Sequence, residues 1–363
     1  MPDIAKNMFP ARFWEAADGQ KVVCSACFRR CVVKPGRRGF CQCRTNSGGK
    51  LFTLNYGDTS SVSADPVEKK PLYHFRPGTM TFSIGTPGCN LTCLGCQNSH
   101  LSQPGADWPG VEQKEGTVEA LVRLSLRHQA DTWSFTYSEP TIFYEYARDL
   151  AQKALEHGLE SIWVTNGSMT PELLKTLPPA VAAMNIDLKG FTEEFYQKIT
   201  GGSLRAVLDN IELALSLGLW VEATTLLIPG LNDSPAELKN LASFLAGLSP
   251  DLPWHVSRFF PRHRQNDVPA TPERSLRLAR DIGRESGLRH VYVGNVPGPG
   301  FSDTLCPGCG ETLVVRDGFR VSLDRLSGSG KCPECGTAVA GRWSRGAASV
   351  RRGGSTELGG AGG

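Results

Sequence analysis

The sequence predicts an α/β protein: a full or partial (β/α) barrel with small cysteine-rich metal modules at both ends. Three observations carry this. Strand-like and helix-like segments alternate from about residue 79 to residue 300. The 12 cysteines fall as five between 24 and 43, three between 89 and 96 and four between 306 and 335, with none in the 209 residues separating Cys96 from Cys306. Polar and glycine-rich signals sit just after successive strands, the end at which such barrels carry their chemistry. A doubly wound open sheet is the alternative that periodicity leaves standing.

Residues 1–60 form the first module. Glycines at 36, 39, 48 and 49 mark turns, and Leu51–Tyr56 reads as a short strand. Its cysteines run Cys24-x2-Cys27-x3-Cys31-x9-Cys41, four thiolates suited to structural zinc or to an auxiliary [4Fe–4S] cluster, with Cys43 a spare or alternate ligand.

Residues 70–300 carry the barrel. Strands are expected at Thr79–Ile84, Thr132–Tyr137, Ser161–Thr165, Ala182–Leu188, Trp220–Ile228, Trp254–Phe259 and His290–Val293. Helices are expected at Pro140–His157, Leu204–Leu217, Pro235–Leu248 and Pro272–Glu285. Ser234-Pro235 and Thr271-Pro272 each read as an N-cap followed by proline at the first helical position.

Residues 301–343 return to short strands and paired cysteines. Cys306-Pro-Gly-Cys309-Gly and Cys332-Pro-Glu-Cys335-Gly are two knuckles whose tight turns bring backbone amides to the thiolates, the pattern of a structural zinc ribbon. A single iron is the other metal such a set can hold. Residues 344–363, with seven glycines, read as a disordered tail.

Charge nearly cancels, 39 Lys+Arg against 36 Asp+Glu, and the last 20 residues supply +2 of the +3. A basic nucleic-acid platform is therefore not expected. No run of 18 apolar residues exists, and the first residues, with Asp3 and Lys6, lack an apolar signal core. Tight cysteine clusters read as metal ligands in a reducing compartment, so the expectation is a cytoplasmic protein with no membrane partner.

The chemistry concentrates at Cys89-x3-Cys93-x2-Cys96, directly after the first barrel strand. Three local thiolates leave one iron of a [4Fe–4S] cluster without a cysteine, open to a substrate or cofactor. The alternative is zinc completed by a histidine such as His100.

This motif with Gln97-Asn98 resembles the radical S-adenosylmethionine (SAM) superfamily. Closer resemblance is to the pyruvate formate-lyase activating enzyme group and, within it, to the AmmeMemoRadiSam system radical SAM enzymes. The supporting segments are Pro71-Leu72-Tyr73-His74-Phe75, Tyr137-Ser138-Glu139-Pro140-Thr141, Asn185–Gly190, Ile228–Asp233 and Gly294–Gly298. With both flanking modules, the resemblance covers roughly residues 20–343.

It implies a barrel of the radical SAM type, and it implies roles. Cys89, Cys93 and Cys96 would be the catalytic cluster ligands. SAM would chelate the open iron, and its reductive cleavage would yield a 5′-deoxyadenosyl radical that abstracts hydrogen. Glu139, in Ser138-Glu139-Pro140, stands where the family usually has a glycine-glycine-glutamate segment and would accept from the SAM amino group. A helix-capping acid is its other reading. Asn166 follows the third strand and would be a further cofactor-binding residue. Asp187 and Lys189 match an Asp-x-Lys near SAM, or else form a salt bridge at a strand end. Valine at 164 replaces the second aspartate of the family's cation site, so that site is not carried over. His263 matches a SAM-contacting histidine. Gly95 replaces the usual aromatic on the adenine, so stacking must come from elsewhere.

The cofactors so implied are a [4Fe–4S] cluster, SAM, zinc and a second iron–sulfur cluster as an option. The implied partners are reduced flavodoxin or ferredoxin, with Memo-like and AMMECR-domain proteins. The expected reaction is hydrogen abstraction from a small molecule or peptide. Activation of a glycyl-radical enzyme is the alternative; residues 97–138, free of cysteine, weaken it, because the activators with extra ferredoxin-like clusters insert cysteines there. A zinc-stapled binding scaffold is the non-enzymatic one.

Overall fold

The computed structural model describes residues 7–343, apart from 106–107, 111–115, 297, 299 and 327. The expected tail, 344–363, lies outside the described residues.

One eight-stranded sheet organises the chain: β1 (Ser61–Pro66), β2 (Met80–Gly85), β3 (Thr132–Phe135), β4 (Glu160–Thr165), β5 (Val181–Asp187), β6 (Trp220–Leu227), β7 (Trp254–Arg258) and β8 (Val291–Gly294). Each strand pairs with its sequence neighbours. β2 to β8 run parallel, while β1 is antiparallel to β2. β1 and β8 stand at opposite edges, so the barrel is partial. The seven expected strands are β2–β8 within a residue or two; β1 is the addition.

Helices cover the sheet between strands: α1 (Val118–Arg127), α2 (Tyr144–Glu156), α3 (Leu204–Ser216), α4 (Pro235–Leu248) and α5 (Glu273–Glu285). α1 was not among the expected helices. The Pro140–His157 expectation divides, a 3-10 turn at Pro140–Phe143 preceding α2. Ser234 caps α4 as expected, accepting from the Glu237 N–H with Pro235 in the first turn. The Thr271 cap does not form. Pro272 takes the cap position, and the Thr271 hydroxyl instead donates to the Leu227 carbonyl at 2.5 Å and accepts from the Phe259 N–H.

Strands covered on both faces need near-continuous apolar sequence. β5 meets this with Val181 to Ile186. Trp133, Trp163 and Trp254 are fully buried. Val67, Leu72 and Phe75, from the segment between β1 and β2, pack on Ile162 and Ala183 in a smaller apolar cluster.

Two three-stranded antiparallel sheets make the N-terminal module, one of Phe9–Pro10, Arg44–Ser47 and Lys50–Thr53, the other of Trp14–Ala17, Lys21–Cys24 and Val32–Val33. Its Val22, Val33 and Leu51 belong to the same apolar core as the sheet. Thr304–Leu305, Thr312–Asp317 and Arg320–Asp324 form the C-terminal sheet, with a core of its own around Leu313, Val314 and Trp343. Among the described residues, no helix is long and apolar enough to cross a membrane.

Candidate active site

The C-terminal ends of the parallel strands open into a cavity of about 1030 Å³. Cys89, Cys93 and Cys96 line it from the loop after β2, and Glu139, Asn166, Asp187 and Lys189 line it from the ends of β3, β4 and β5.

The cysteine loop is pinned by its own backbone. Thr92 and Leu94 donate to the carbonyls of Thr200 and Ile199 at 2.9 and 3.0 Å, and Leu94 O accepts from Arg264 N–H at 2.9 Å. Burial pushes the Cys93 thiol up to about 11, with nearby Lys189 pulling the other way. A metal that binds thiolate removes that obstacle. The N-terminal module braces the same loop. Cys43, fully buried, donates to the Pro87 carbonyl at 3.0 Å and fills the space beside Gly88, whose φ of +110° and lack of a Cβ let the chain pass. Cys43 is thereby a packing residue facing the loop. His100 is exposed on the short helix Ser99–Ser102 and does not line the cavity, so it completes no zinc site with the three cysteines.

Glu139 is 2% exposed and heavily committed. Its Oε1 accepts from Thr141 N–H (3.1 Å), Thr141 Oγ1 (2.6 Å) and Thr165 Oγ1 (2.7 Å), and its Oε2 accepts from Asn166 N–H (2.8 Å). It caps the 3-10 turn and ties β3 to β4. Burial raises its carboxyl above the ordinary value, against those hydrogen bonds. Oε1 is crowded by three donors, whereas Oε2 has only the Asn166 N–H and keeps a lone pair for a ligand.

Asn166 donates to Asn90 Oδ1 at 2.8 Å and reaches Cys89 Sγ at 3.7 Å, while its own Oδ1 accepts from Ser168. Asp187 and Lys189 pair with each other at 2.7 Å, both half-buried. Burial opposes the lysine charge, but Asp187 and Cys93 raise it above the ordinary value. Val164 lines the cavity and offers no ligand atom.

His263 is not among the lining residues; Gln265, two positions on, is. A Cβ at residue 95 would collide with the Gln265 carboxamide and meet Phe259 at 3.1 Å. This is why glycine stands at 95: the space of the expected aromatic is taken. Among the described residues Gln265 Oε1 and the Thr224 hydroxyl are buried without a hydrogen-bond partner, and both belong to the cavity wall. Unpaired buried polar atoms are costly, so these two favour a polar occupant.

Sequence reasoning missed much of the opposite wall. Tyr137 and Lys70 line it and are joined by Asp65, Tyr137 donating to Asp65 at 2.5 Å and Lys70 at 2.7 Å. Burial pulls Lys70 down to about 8 against the pull of Asp65. Glu222, fully buried, accepts from the Tyr73 and His74 N–H groups at 2.9 and 2.8 Å and from the Trp220 indole, and bonds His255 at 2.6 Å. That carboxylate explains the Pro71–Phe75 segment, whose other side receives the C-terminal module. His74 bonds the Ala340 carbonyl and Tyr292, and Arg316 donates to the Tyr73 carbonyl. The tip of the C-terminal hairpin, Asp317-Gly318-Phe319, thus reaches the cavity rim.

Cys306, Cys309, Cys332 and Cys335 place all four sulfurs within 4.8 Å of one another. Cys306 and Cys335 are 3.5 Å apart, and Cys309 and Cys332 3.7 Å. Tetrahedral zinc at about 2.3 Å per thiolate requires sulfurs about 3.8 Å apart, so the set fits a single ion. Cys24, Cys27, Cys31 and Cys41 line a separate compartment in the N-terminal module.

A family model for the radical SAM superfamily matches residues 83–244. An uncharacterized protein of Methanocaldococcus jannaschii is 41% identical over 334 residues, covering 92% of this chain and 99% of its own. A probable GTP 3′,8-cyclase of Aeropyrum pernix is 30% identical over 261 residues, covering 64% of this chain and 70% of its own length. Among solved structures, Streptococcus suis SuiB bound to S-adenosylmethionine aligns at 13% identity with a TM-score of 0.46, over 63% of this chain and 53% of that one.

Proposed function

This chain belongs to the radical SAM superfamily, and from that premise we propose that it abstracts hydrogen from a small-molecule or peptide substrate in the 1030 Å³ cavity. The family implies a [4Fe–4S] cluster and SAM, and the residues fit both. Cys89, Cys93 and Cys96 face one cavity without the mutual closeness of a single-ion site. Oε2 of Glu139, Gln265 Oε1 and the Thr224 hydroxyl supply polar atoms for SAM. When bound, the cluster would donate one electron to the SAM sulfonium, giving methionine and a 5′-deoxyadenosyl radical. The chain's part is to hold the thiolates, orient the amino-acid end of SAM near Asn166 and Glu139, and keep water from the radical.

One observation carries the substrate class: Asp317-Gly318-Phe319 of the C-terminal module lies on the cavity rim, with Gly294, Asn295 and Ser302 beside it. A folded protein's loop would have to pass this hairpin, whereas a small ligand or single peptide strand would be covered by it. Zinc at Cys306, Cys309, Cys332 and Cys335 would hold the hairpin in place. A reduced flavodoxin or ferredoxin is the proposed electron donor, and Memo-like and AMMECR-domain proteins are proposed partners.

Reduced enzyme and SAM, supplied separately with the protein and small-molecule fractions of a deuterated cell extract, test the reading. Deuterium in 5′-deoxyadenosine is expected from the small-molecule fraction. Label from the protein fraction alone, with a stable glycyl radical by electron paramagnetic resonance, would restore the activase. A protein reconstituted anaerobically that holds zinc but no labile sulfide would leave only the binding scaffold.

A further inference from the structure

The compartment walled by Cys24, Cys27, Cys31 and Cys41 does not share the close sulfur grouping of the C-terminal metal site. Both sets contain four cysteines. At the C-terminus all four ligand atoms lie within 4.8 Å of one another. Among the described residues, no other group of three or more such ligand atoms is so close, and all four N-terminal cysteines are described. A tetrahedral ion needs the shorter spacing. A cubane cluster binds each thiolate to a separate iron, which spreads the sulfurs to roughly 6 Å apart. The fifth cysteine does not compete, since the Cys43 thiol is turned to Pro87 and Gly88.

The walls suit an anionic cluster. Arg44, itself paired with buried Glu145, approaches Cys24 Sγ at 4.0 Å, and Arg29 shares the same compartment. Charge and N–H groups near the sulfurs are what tune such centres. The compartment also adjoins the active site. Arg29 donates to the Asn90 carbonyl at 2.6 Å. The Asn90 side chain lines the compartment and stands 3.9 Å from Cys89 Sγ. Cys27 pairs with Met169 across an isolated bridge, fastening the compartment to the loop that carries Asn166.

We propose that Cys24, Cys27, Cys31 and Cys41 hold a second, fully cysteine-ligated [4Fe–4S] cluster, beside the Cys89 cluster, with Asn90 and Arg29 of the compartment lining next to Cys89. The adjacency rests on the reading of Cys89; the N-terminal site itself does not.

The test uses the full chain, purified and reconstituted without oxygen. The expected content is about eight iron, about eight sulfide and about one zinc per chain. On reduction, the two clusters should show spin–spin broadening in electron paramagnetic resonance. The Cys89→Ala/Cys93→Ala/Cys96→Ala variant should keep about four iron and lose the broadening and the response to SAM. A parent protein with about four iron and about two zinc would overturn the proposal, as would a folded triple variant without iron. A triple variant with all of its iron would instead sink the Cys89 assignment and leave the N-terminal site standing. Should the triple variant not fold, the parent's metal content and Cys31→Ser/Cys41→Ser, expected to lose half the iron and keep the SAM response, decide the matter.

Discussion

Glu139→Gln separates two uses of one carboxylate. In the structure it accepts four hydrogen bonds, three on Oε1 and one on Oε2. An amide keeps one oxygen and turns the other into a donor. If that oxygen takes the Oε1 place, the new NH2 group faces the Asn166 N–H, a donor against a donor. The two hydroxyl partners can rotate, but a backbone N–H cannot. One buried donor then goes unpaired, at about 1–3 kcal/mol, and the three remaining bonds lose their charge assistance. A total of about 2–3 kcal/mol, at roughly 2–4 °C per kcal/mol or somewhat less in a chain of this size, lowers Tm by about 4–8 °C. The cluster-loaded protein without SAM is the form to melt, because SAM would add its own stabilisation. SAM affinity, measured by anaerobic titration, should fall only about 3- to 10-fold, through the loosened Asn166 loop and the changed Oε2. An unchanged Tm with SAM binding lost would refute the capping argument and make Glu139 mainly a ligand.

Two further outcomes follow from buried groups at the module joints. Burial draws His290 down from 6.5 to about 4, and His74, packed against it at 4.4 Å, is also lowered well below its usual value. The unfolded chain therefore takes up protons first, so stability is full above about pH 6.5 and falls as pH drops toward 4, by about 3 kcal/mol from His290 alone. Denaturant midpoints measured across that range should fall, less steeply in His290→Gln; a midpoint independent of pH would contradict the burial argument. At the cysteine loop, Gly95→Ala should displace the Gln265 side chain and cost about 1–3 kcal/mol. Adding Gln265→Ala should recover most of that loss, whereas simple additivity of the two single changes would show that they do not compete for the space.

The seven parallel strands were legible because each is a short run rich in apolar, aromatic or β-branched residues closed by a turn signal, and each such signal is local. The same holds for Cys89-x3-Cys93-x2-Cys96 and for the two C-terminal knuckles, whose ligands lie within a few residues of each other. β1 escaped notice because its Ser61–Pro66 sequence is mixed in polarity, as an antiparallel edge strand with a half-exposed face can be. α1 also carries a local start signal, the Thr117 hydroxyl that accepts from the Ala120 N–H, with Glu119 in its first turn.

Tertiary structure alone decided what stands around the cysteines. Glu222 meets the His74 N–H across 148 residues of chain, and His74 meets Ala340 across 266. No periodicity or spacing reports such pairs. Gln265 fills the space beside Gly95, and the same loop sets Gln265 rather than His263 among the residues lining the cavity. The cysteines of residues 24–41 count as four thiolates in any reading of the chain. Whether four thiolates suit one ion or a cluster depends on the distances between their sulfurs, and those are set by the fold that carries them: the two N-terminal sheets, Asn90 from the barrel loop, and Met169 beyond β4.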